Sequence, residues 1–429
     1  MDRRLLVISI DSMIEDDLRI IAKLDTLGDI LGRSSVVWEM TSTYPTLTHS
    51  IHSSIITGCY PDRHGVISNE RFIPGNLHAP WYDKASDLKV ATLPDLCKSM
   101  GYTTASVCWP LTVGADMTYV LHRAGIRVPL EQKGEAMRAS STEGLVDEVE
   151  PFTGKCWDEL PHFEASDRFS CRAAAYLYKE HKPDVMYVHL ILVDHMRHQK
   201  GVYGEHIEQA YQFLDIELKV LWDTLEQEGL LDKTIVNITS DHGHLPVERV
   251  VSLNRFFKDN GLLCLKDNGE LDTWQAYAHT CALSAQIYLS DSSVAERVYS
   301  LLDRNSAALG ISRVFTAEQA ENEYHLRGGF SFVVETDGHT AFSSDYNAPL
   351  VGRTGDEDYR YSVATHGHLP TVGPQPCFIL YNPFASRRIE LQRGRIIDQA
   401  PTLAKLMGIP MSDCDGECIK ELCEDSKWI

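Results

Sequence analysis

The 429-residue sequence predicts a doubly wound α/β protein: a mostly parallel central sheet with helices on both faces, plus a small inserted α/β cap. Three observations point there. Short β-branched apolar runs recur, each ending in polar residues. Helical patterns alternate with them. Between two similar histidine-bearing segments lies a stretch with its own strand and helix pattern.

The apolar runs are residues 5–10 (LLVISI), 185–193 (VMYVHLILV), 234–239 (TIVNIT) and 377–381 (CFILY). Near-continuous apolar strands suit a parallel sheet covered on both faces. Leu18, Ile21, Leu24 and Leu27 carry a helical period, and residues 205–229 read as one long helix. Between SDHGHLP (240–246) and THGHLP (365–370) come strand-like SAQIYL, helical SVAERVYSLLDRNSAALG and strand-like FSFVVET. Residues 1–244 and 365–429 are therefore assigned to a catalytic core, and residues 245–364 to a cap over its crevice. Residues 75–163, with scattered prolines and charges, give no clear pattern.

Composition narrows the partners. An apolar fraction of 43% and a charged fraction of 24% are those of an ordinary globular protein. Forty basic residues against 61 acidic ones argue against a nucleic-acid polymer or an anionic membrane surface as partner. A small anionic substrate can still bind where metal ions or local donors reverse the field. The opening MDRRLLVISID has too short an apolar stretch for an export signal, and no run reaches the length of a membrane span. The expectation is a cytoplasmic protein whose eleven scattered cysteines are reduced thiols, Cys414, Cys418 and Cys423 included. The oligomeric state is left open.

In a doubly wound sheet the carboxyl ends of the strands face the ligand crevice. The residues just beyond the apolar runs are Asp11, Asp194 and the pair Asp241 and His242. DHMRH places His198 four residues after Asp194, on one face of a helical turn, and THGH supplies His366. Singly, a strand-end Asp is more often a cap or turn residue and a lone His an ordinary hydrogen-bonded one. Together they are the mixed oxygen and nitrogen donors of Zn²⁺, or with more oxygens of Mn²⁺, and they suffice for two divalent ions. Two adjacent cations suit phosphoryl chemistry, one assisting the attacking oxygen and the other the leaving oxygen. Thr48 stands before an apolar helical face formed by Ile51, Ile55 and Ile56. At a helix N-terminus its hydroxyl could become a nucleophile; capping preference alone would make it an N-cap.

Taken in order, VISIDS, YPTLTHSIHSSIITGCYPDRHGVISN, DHMRH, TSDHGH, THGH and IIDQAPTLAKLMGI resemble the nucleotide pyrophosphatase/phosphodiesterase branch of the alkaline phosphatase superfamily. The resemblance implies Thr48 as the nucleophile. It implies Asp11, Asp241, His242 and Thr48 around one metal ion, and Asp194, His198 and His366 around the other. It implies that the Asn69 amide donates to a phosphate oxygen; on its own Asn69 reads as a turn residue. The implied reaction is a pair of in-line displacements through a phosphothreonine. Two positions depart from the nucleotide-cleaving pattern, since His49 and His189 stand where aromatic residues would clamp a base, and no equivalent of the lysines of phosphonoacetate hydrolases is evident. His244 and His368 each follow a ligand motif by two residues and read as loop histidines, with support of a ligand or contact to substrate as the alternative. The function expected is a metal-dependent phosphodiesterase or nucleotide pyrophosphatase-like hydrolase of a small phosphoester. The alternatives are a phosphonate or phosphate monoester hydrolase and a catalytically silent metal-binding protein on the same fold.

Overall fold

The strands read from apolar runs lie side by side at the centre of an eight-stranded sheet. The computed structural model describes residues 3–123, 125, 128–155, 163–355 and 358–424. The sheet order is Glu390–Arg395, Ser35–Thr41, Phe378–Tyr381, Thr234–Thr239, Arg4–Ile10, Val185–Leu190, Thr104–Val107 and Tyr119–Leu121. All strands run the same way except Phe378–Tyr381, which is antiparallel to both neighbours.

The first strand shows why these runs lack polar alternation. Leu6, Ile8 and Ile10 join one apolar cluster with helices Phe163–Glu180 and Glu205–Gln227, while Leu5 and Val7 join another with helices Thr48–Thr57 and Gln399–Met407. Both faces are covered, so the strand is apolar throughout its core except at Ser9, whose hydroxyl pairs with His52 Nε2. Residues 185–193 are the exception, because the strand stops at Leu190. There the buried Asp167 carboxylate accepts the backbone N–H groups of Ile191 and Leu192 at 2.9–3.0 Å, and helix Leu192–Lys200 begins. Asp194 therefore sits in the first turn of a helix. Strands Ser35–Thr41, Thr104–Val107, Tyr119–Leu121 and Glu390–Arg395 complete the sheet.

The insert is a four-stranded antiparallel sheet ordered Ala276–Thr280, Ser284–Leu289, Phe332–Thr336 and Ile311–Thr316, with helices Ala295–Arg304 and Ala317–Tyr324. Its two chain ends meet where Leu245–Pro246 pairs with Ala364–Thr365. The insert binds to the segments that carry the site. Glu335 accepts from the Tyr44 hydroxyl at 2.8 Å and from Leu369 N–H at 2.9 Å, and the Ser284 hydroxyl donates to Gly367 O at 2.6 Å. Gln286 donates to Ile67 O at 2.7 Å.

Among the described residues no helix is long and apolar enough to cross a membrane. At the C-terminal end the Cys418 and Cys423 sulfurs approach to 2.8 Å, while Cys414 bonds instead to Gly416 O.

Glu335 makes the seam between cap and core sensitive to pH. Burial pushes its carboxyl up from 4.5 to about 8, against the opposing pull of its bonds from Leu369 and Tyr44. A carboxyl whose folded value is raised keeps its proton longer in the folded state. Its stabilisation is complete below pH 4.5 and is lost as pH rises through about 8. Between those limits the stability of the wild type should fall relative to Glu335→Gln, and urea melts of both proteins at pH 5 and pH 8.5 measure the difference.

Candidate metal centre

Each strand end delivers its side chain to the same edge through a constrained turn. Asp11 follows the first strand directly, and Ser12 turns the chain with φ of 64°. The Ser12 N–H donates to Asp241 Oδ1 at 3.1 Å, tying the ends of the two adjacent strands together. His242 and His244 flank Gly243, where a Cβ would lie 2.3 Å from Pro374 O. His366 and His368 flank Gly367, which has φ of +98° and where a Cβ would lie 1.8 Å from Cys281 O. Both H-G-H segments need glycine because another backbone crosses them.

Two overlapping groups of donors meet at this edge. Asp194, His198, His244 and His366 offer ligand atoms that all lie within 4.8 Å of one another, and so do Asp11, Asp194 and His242. Asp194 faces both groups. His242 Nε2 lies 3.2 Å from Asp241 Oδ2 and 3.6 Å from Asp11 Oδ1. Thr48 is buried and occupies the first helical position of Thr48–Thr57, after the N-cap residue Leu47. Its hydroxyl does not cap the helix; Oγ1 lies 3.3 Å from His242 Nε2.

The chemistry of this donor set fits divalent cations. Asp11 Oδ1, Asp194 Oδ1 and Asp241 Oδ2 are buried oxygens with no hydrogen-bond partner. Burial, reinforced by Asp241 and Asp194, raises the Asp11 carboxyl well above the ordinary range, and burial pushes Asp241 up to about 7. At Asp194 burial acts in the same direction, but His198 and His366 outweigh it and the net shift is downward. Burial drives His242 well below its usual value and His366 down to about 3. These imidazoles are thus neutral. A carbonyl acceptor fixes the tautomer of His366, whose Nδ1 donates to Thr46 O at 2.9 Å and leaves Nε2 with its lone pair toward the cluster; His198 Nδ1 likewise donates to Ala364 O at 2.8 Å. Buried lone pairs facing one another without a proton between them are what a cation satisfies.

Several residues support the centre that sequence reasoning left aside. His189 is 1% exposed, and its Nε2 lies 3.0 Å from Asp11 Oδ2, so it holds the carboxylate from behind instead of facing a substrate. His52 donates from Nδ1 to Thr48 O at 2.7 Å, pairs through Nε2 with the Ser9 hydroxyl at 2.9 Å, and meets the His189 ring at 4.5 Å. Period alone would have marked His52 only as one more helix residue. His49 packs edge-on against Trp81 at 4.8 Å with Nε2 3.6 Å from Asp83 Oδ1, and its backbone N–H donates to Asn69 Oδ1 at 2.9 Å. Asn69 is therefore bonded to the first turn of the Thr48 helix. His368 points away, bonding to Val372 O at 3.0 Å.

A mostly parallel sheet with an Asp/His cluster suited to divalent metal at its carboxyl edge defines an alkaline phosphatase-like α/β protein. Residues 5–368 match the model of the type I phosphodiesterase / nucleotide pyrophosphatase family, and the chain belongs to that family. Murine ectonucleotide pyrophosphatase/phosphodiesterase 5 superposes with a TM-score of 0.70 at 16% identity, covering 99% of this chain and 100% of its own. A second structure of that mouse protein, an inactive threonine-to-alanine variant in complex with AMP, gives 0.69 at 15% identity, with the same 99% and 100% coverage. Among curated proteins, the bis(5′-adenosyl)-triphosphatase of Xenopus laevis is 24% identical over 257 residues, 57% of this chain and 48% of that protein. Ectonucleotide pyrophosphatase/phosphodiesterase family member 3 of Rattus norvegicus is 21% identical over 230 residues, 51% of this chain and 22% of the rat protein. The chain thus spans less than half the length of the curated relatives it matches.

The bond from His189 to Asp11 predicts a measurable role. His189→Ala should weaken retention of divalent ions by roughly 10- to 100-fold, because a supporting partner of a ligand is lost. His189→Gln, which keeps a donor, should recover part of that loss; metal analysis after graded chelator dialysis reads both.

Proposed function

We propose that the protein is a divalent-metal-dependent phosphoric ester hydrolase, a phosphodiesterase or nucleotide pyrophosphatase-like enzyme using Thr48 as nucleophile. The observation that carries this reading is the Thr48 hydroxyl at a helix N-terminus, 3.3 Å from His242 Nε2 and beside the unpartnered oxygens of Asp11 and Asp241. Asp11, Asp241, His242 and Thr48 would hold one ion and Asp194, His198 and His366 the other, with Zn²⁺ the first candidate and Mn²⁺ the second. Bound there, the ions supply positive charge that eases ionisation of a hydroxyl and offsets the charge of a phosphoryl group.

The chain's own groups define the rest. The helix N-terminus adds positive potential at Thr48 and favours an anion in front of it. In the first step the Thr48 oxygen forms a bond to phosphorus as the bond to the leaving oxygen breaks, giving a phosphothreonine. In the second, water attacks phosphorus from the vacated side and the bond to Thr48 breaks. Asn69 Oδ1 is committed to His49 N–H, so the amide NH₂ is the end that can donate to a phosphoryl oxygen. His52 anchors the Thr48 carbonyl and keeps the nucleophile in register with Asp241.

AMP in the mouse relative supports a nucleotide or a similar small phosphoester as substrate. The edge-on His49 ring, beside Trp81 and Asp83, offers little flat area to a base and favours phosphate monoesters or phosphonates as the second reading.

Thr48→Ala should lower turnover on the order of 10³-fold or more while bound metal is largely retained; a variant with wild-type rate excludes Thr48 as nucleophile. Relative kcat/KM on bis-p-nitrophenyl phosphate and p-nitrophenyl phosphate separates the diester from the monoester reading. Metal binding with no hydrolysis across a phosphoester panel would leave a metal-binding protein.

A further inference from the structure

We infer that His244 is a fourth protein ligand to the ion held by Asp194, His198 and His366, so that this site is filled by three imidazoles and one carboxylate of the chain itself. The inference rests on the two-ion reading above and deepens it.

The argument is geometric. A tetrahedral Zn²⁺ with ligand bonds of 2.0–2.1 Å separates its ligand atoms by about 3.3 to 3.4 Å. Asp194 Oδ1 lies 3.3 Å from His198 Nε2, 3.3 Å from His244 Nε2 and 3.8 Å from His366 Nε2, and His244 Nε2 lies 3.4 Å from His198 Nε2. His244 completes the tetrahedron as closely as His198 does. It is fully buried, and its ring stands at 73° to that of His198 and 75° to that of His366, so the three rings approach one point from different directions.

An ordinary hydrogen-bonding role accounts for less. At 3.3 Å His244 Nε2 is near enough to donate to Asp194 Oδ1, yet that oxygen has no hydrogen-bond partner. The group behind His244 also differs from those behind its neighbours. His366 is backed by a carbonyl, which only accepts, and His198 chiefly by the Ala364 carbonyl at 2.8 Å, with the Ser362 hydroxyl farther off at 3.4 Å. His244 Nδ1 is backed by the Ser12 hydroxyl at 2.8 Å, which can donate or accept. Without an ion, Ser12 can donate to Nδ1 while Nε2–H donates to His198 Nε2. With an ion, the proton moves to Nδ1, Ser12 accepts it, and Nε2 is released as a ligand with no movement of the ring.

The test reads metal directly. Wild-type protein stripped and reloaded with Zn²⁺ should hold two ions in competition with a chromophoric chelator. His244→Ala should hold one of them at least about 100-fold more weakly and leave the other unchanged. Co²⁺-loaded wild type should show the intense visible bands of four-coordinate ions, His244→Ala should lose the share contributed by one ion, and added imidazole should restore it, which a merely structural role for His244 would not permit. Ser12→Ala, which keeps the ligand but removes its support, should fall between the two.

Two ions bound with equal affinity by wild type and His244→Ala, with identical Co²⁺ spectra, would overturn the role of His244 and leave the proposed function standing. Wild type that binds no divalent ion would overturn both. If His244→Ala does not melt cooperatively, His244→Asn takes its place: unchanged affinity for both ions and an unchanged Co²⁺ spectrum overturn the inference, and selective weakening of one ion upholds it.

Discussion

Electrostatic repulsion at one dry edge of the sheet is the constraint around which the core is organised. Asp11, Asp194 and Asp241 bring carboxyl oxygens that have no hydrogen-bond partner into a region shared with four buried imidazoles. Burial makes ionising Asp11 and Asp241 costly, and only at Asp194 do neighbouring imidazoles outweigh it. A flexible segment would relax by turning the side chains outward. Here they cannot turn, because the second oxygen of Asp11 is held by His189, that of Asp241 by the Ser12 N–H, and the far nitrogens of His198 and His366 by backbone carbonyls. The scaffold spends stability on keeping lone pairs in opposition, which is the preorganisation a cation site requires.

The segment between the two H-G-H loops is part of that restraint. His366 reaches the cluster from the return strand of the insert, and its position depends on backbone packed so closely that Gly367 has no room for a side chain against Cys281. Glu335 grips both the loop before Thr48, through Tyr44, and the loop after His366, through Leu369. The buried Glu335 carboxyl thereby couples the segment before Thr48 to the segment after His366. Movement of the insert would displace both together.

How much of this was legible in the sequence follows from what each signal encodes. Asp11 and Asp241 were readable because an apolar run that stops at an acidic residue marks a strand end. His198 was readable because four residues is one helical turn. Strand Glu390–Arg395 was not, since an edge strand with the sequence ELQRGR carries no hydrophobic period. Thr104–Val107 and Tyr119–Leu121 are too short to show one. The break after Leu190 was hidden because Asp167, which forces it, lies 24 residues earlier and acts only through tertiary contact. His244, His52 and His189 share the same limit. Nothing local distinguishes a histidine aimed into a cluster from one bonded to a passing carbonyl, as the contrast between His244 and His368 makes plain.

The two histidines found where a base clamp was expected have separate fates, and this changes how substrate choice should be understood. His189 is spent on Asp11 and sealed beneath Trp109 and His52, so no substituent at that position would meet a ligand without first disturbing a carboxylate of the cluster. His49 is at the surface of the site, but its ring is turned edge-on by Trp81 and drawn toward Asp83. Next to Thr48, His49 and Asp83 thus form an imidazole–carboxylate pair packed on Trp81, drawn partly from residues 81–83, a region that sequence pattern left blank. The position of the expected clamp offers hydrogen-bonding groups more than stacking area.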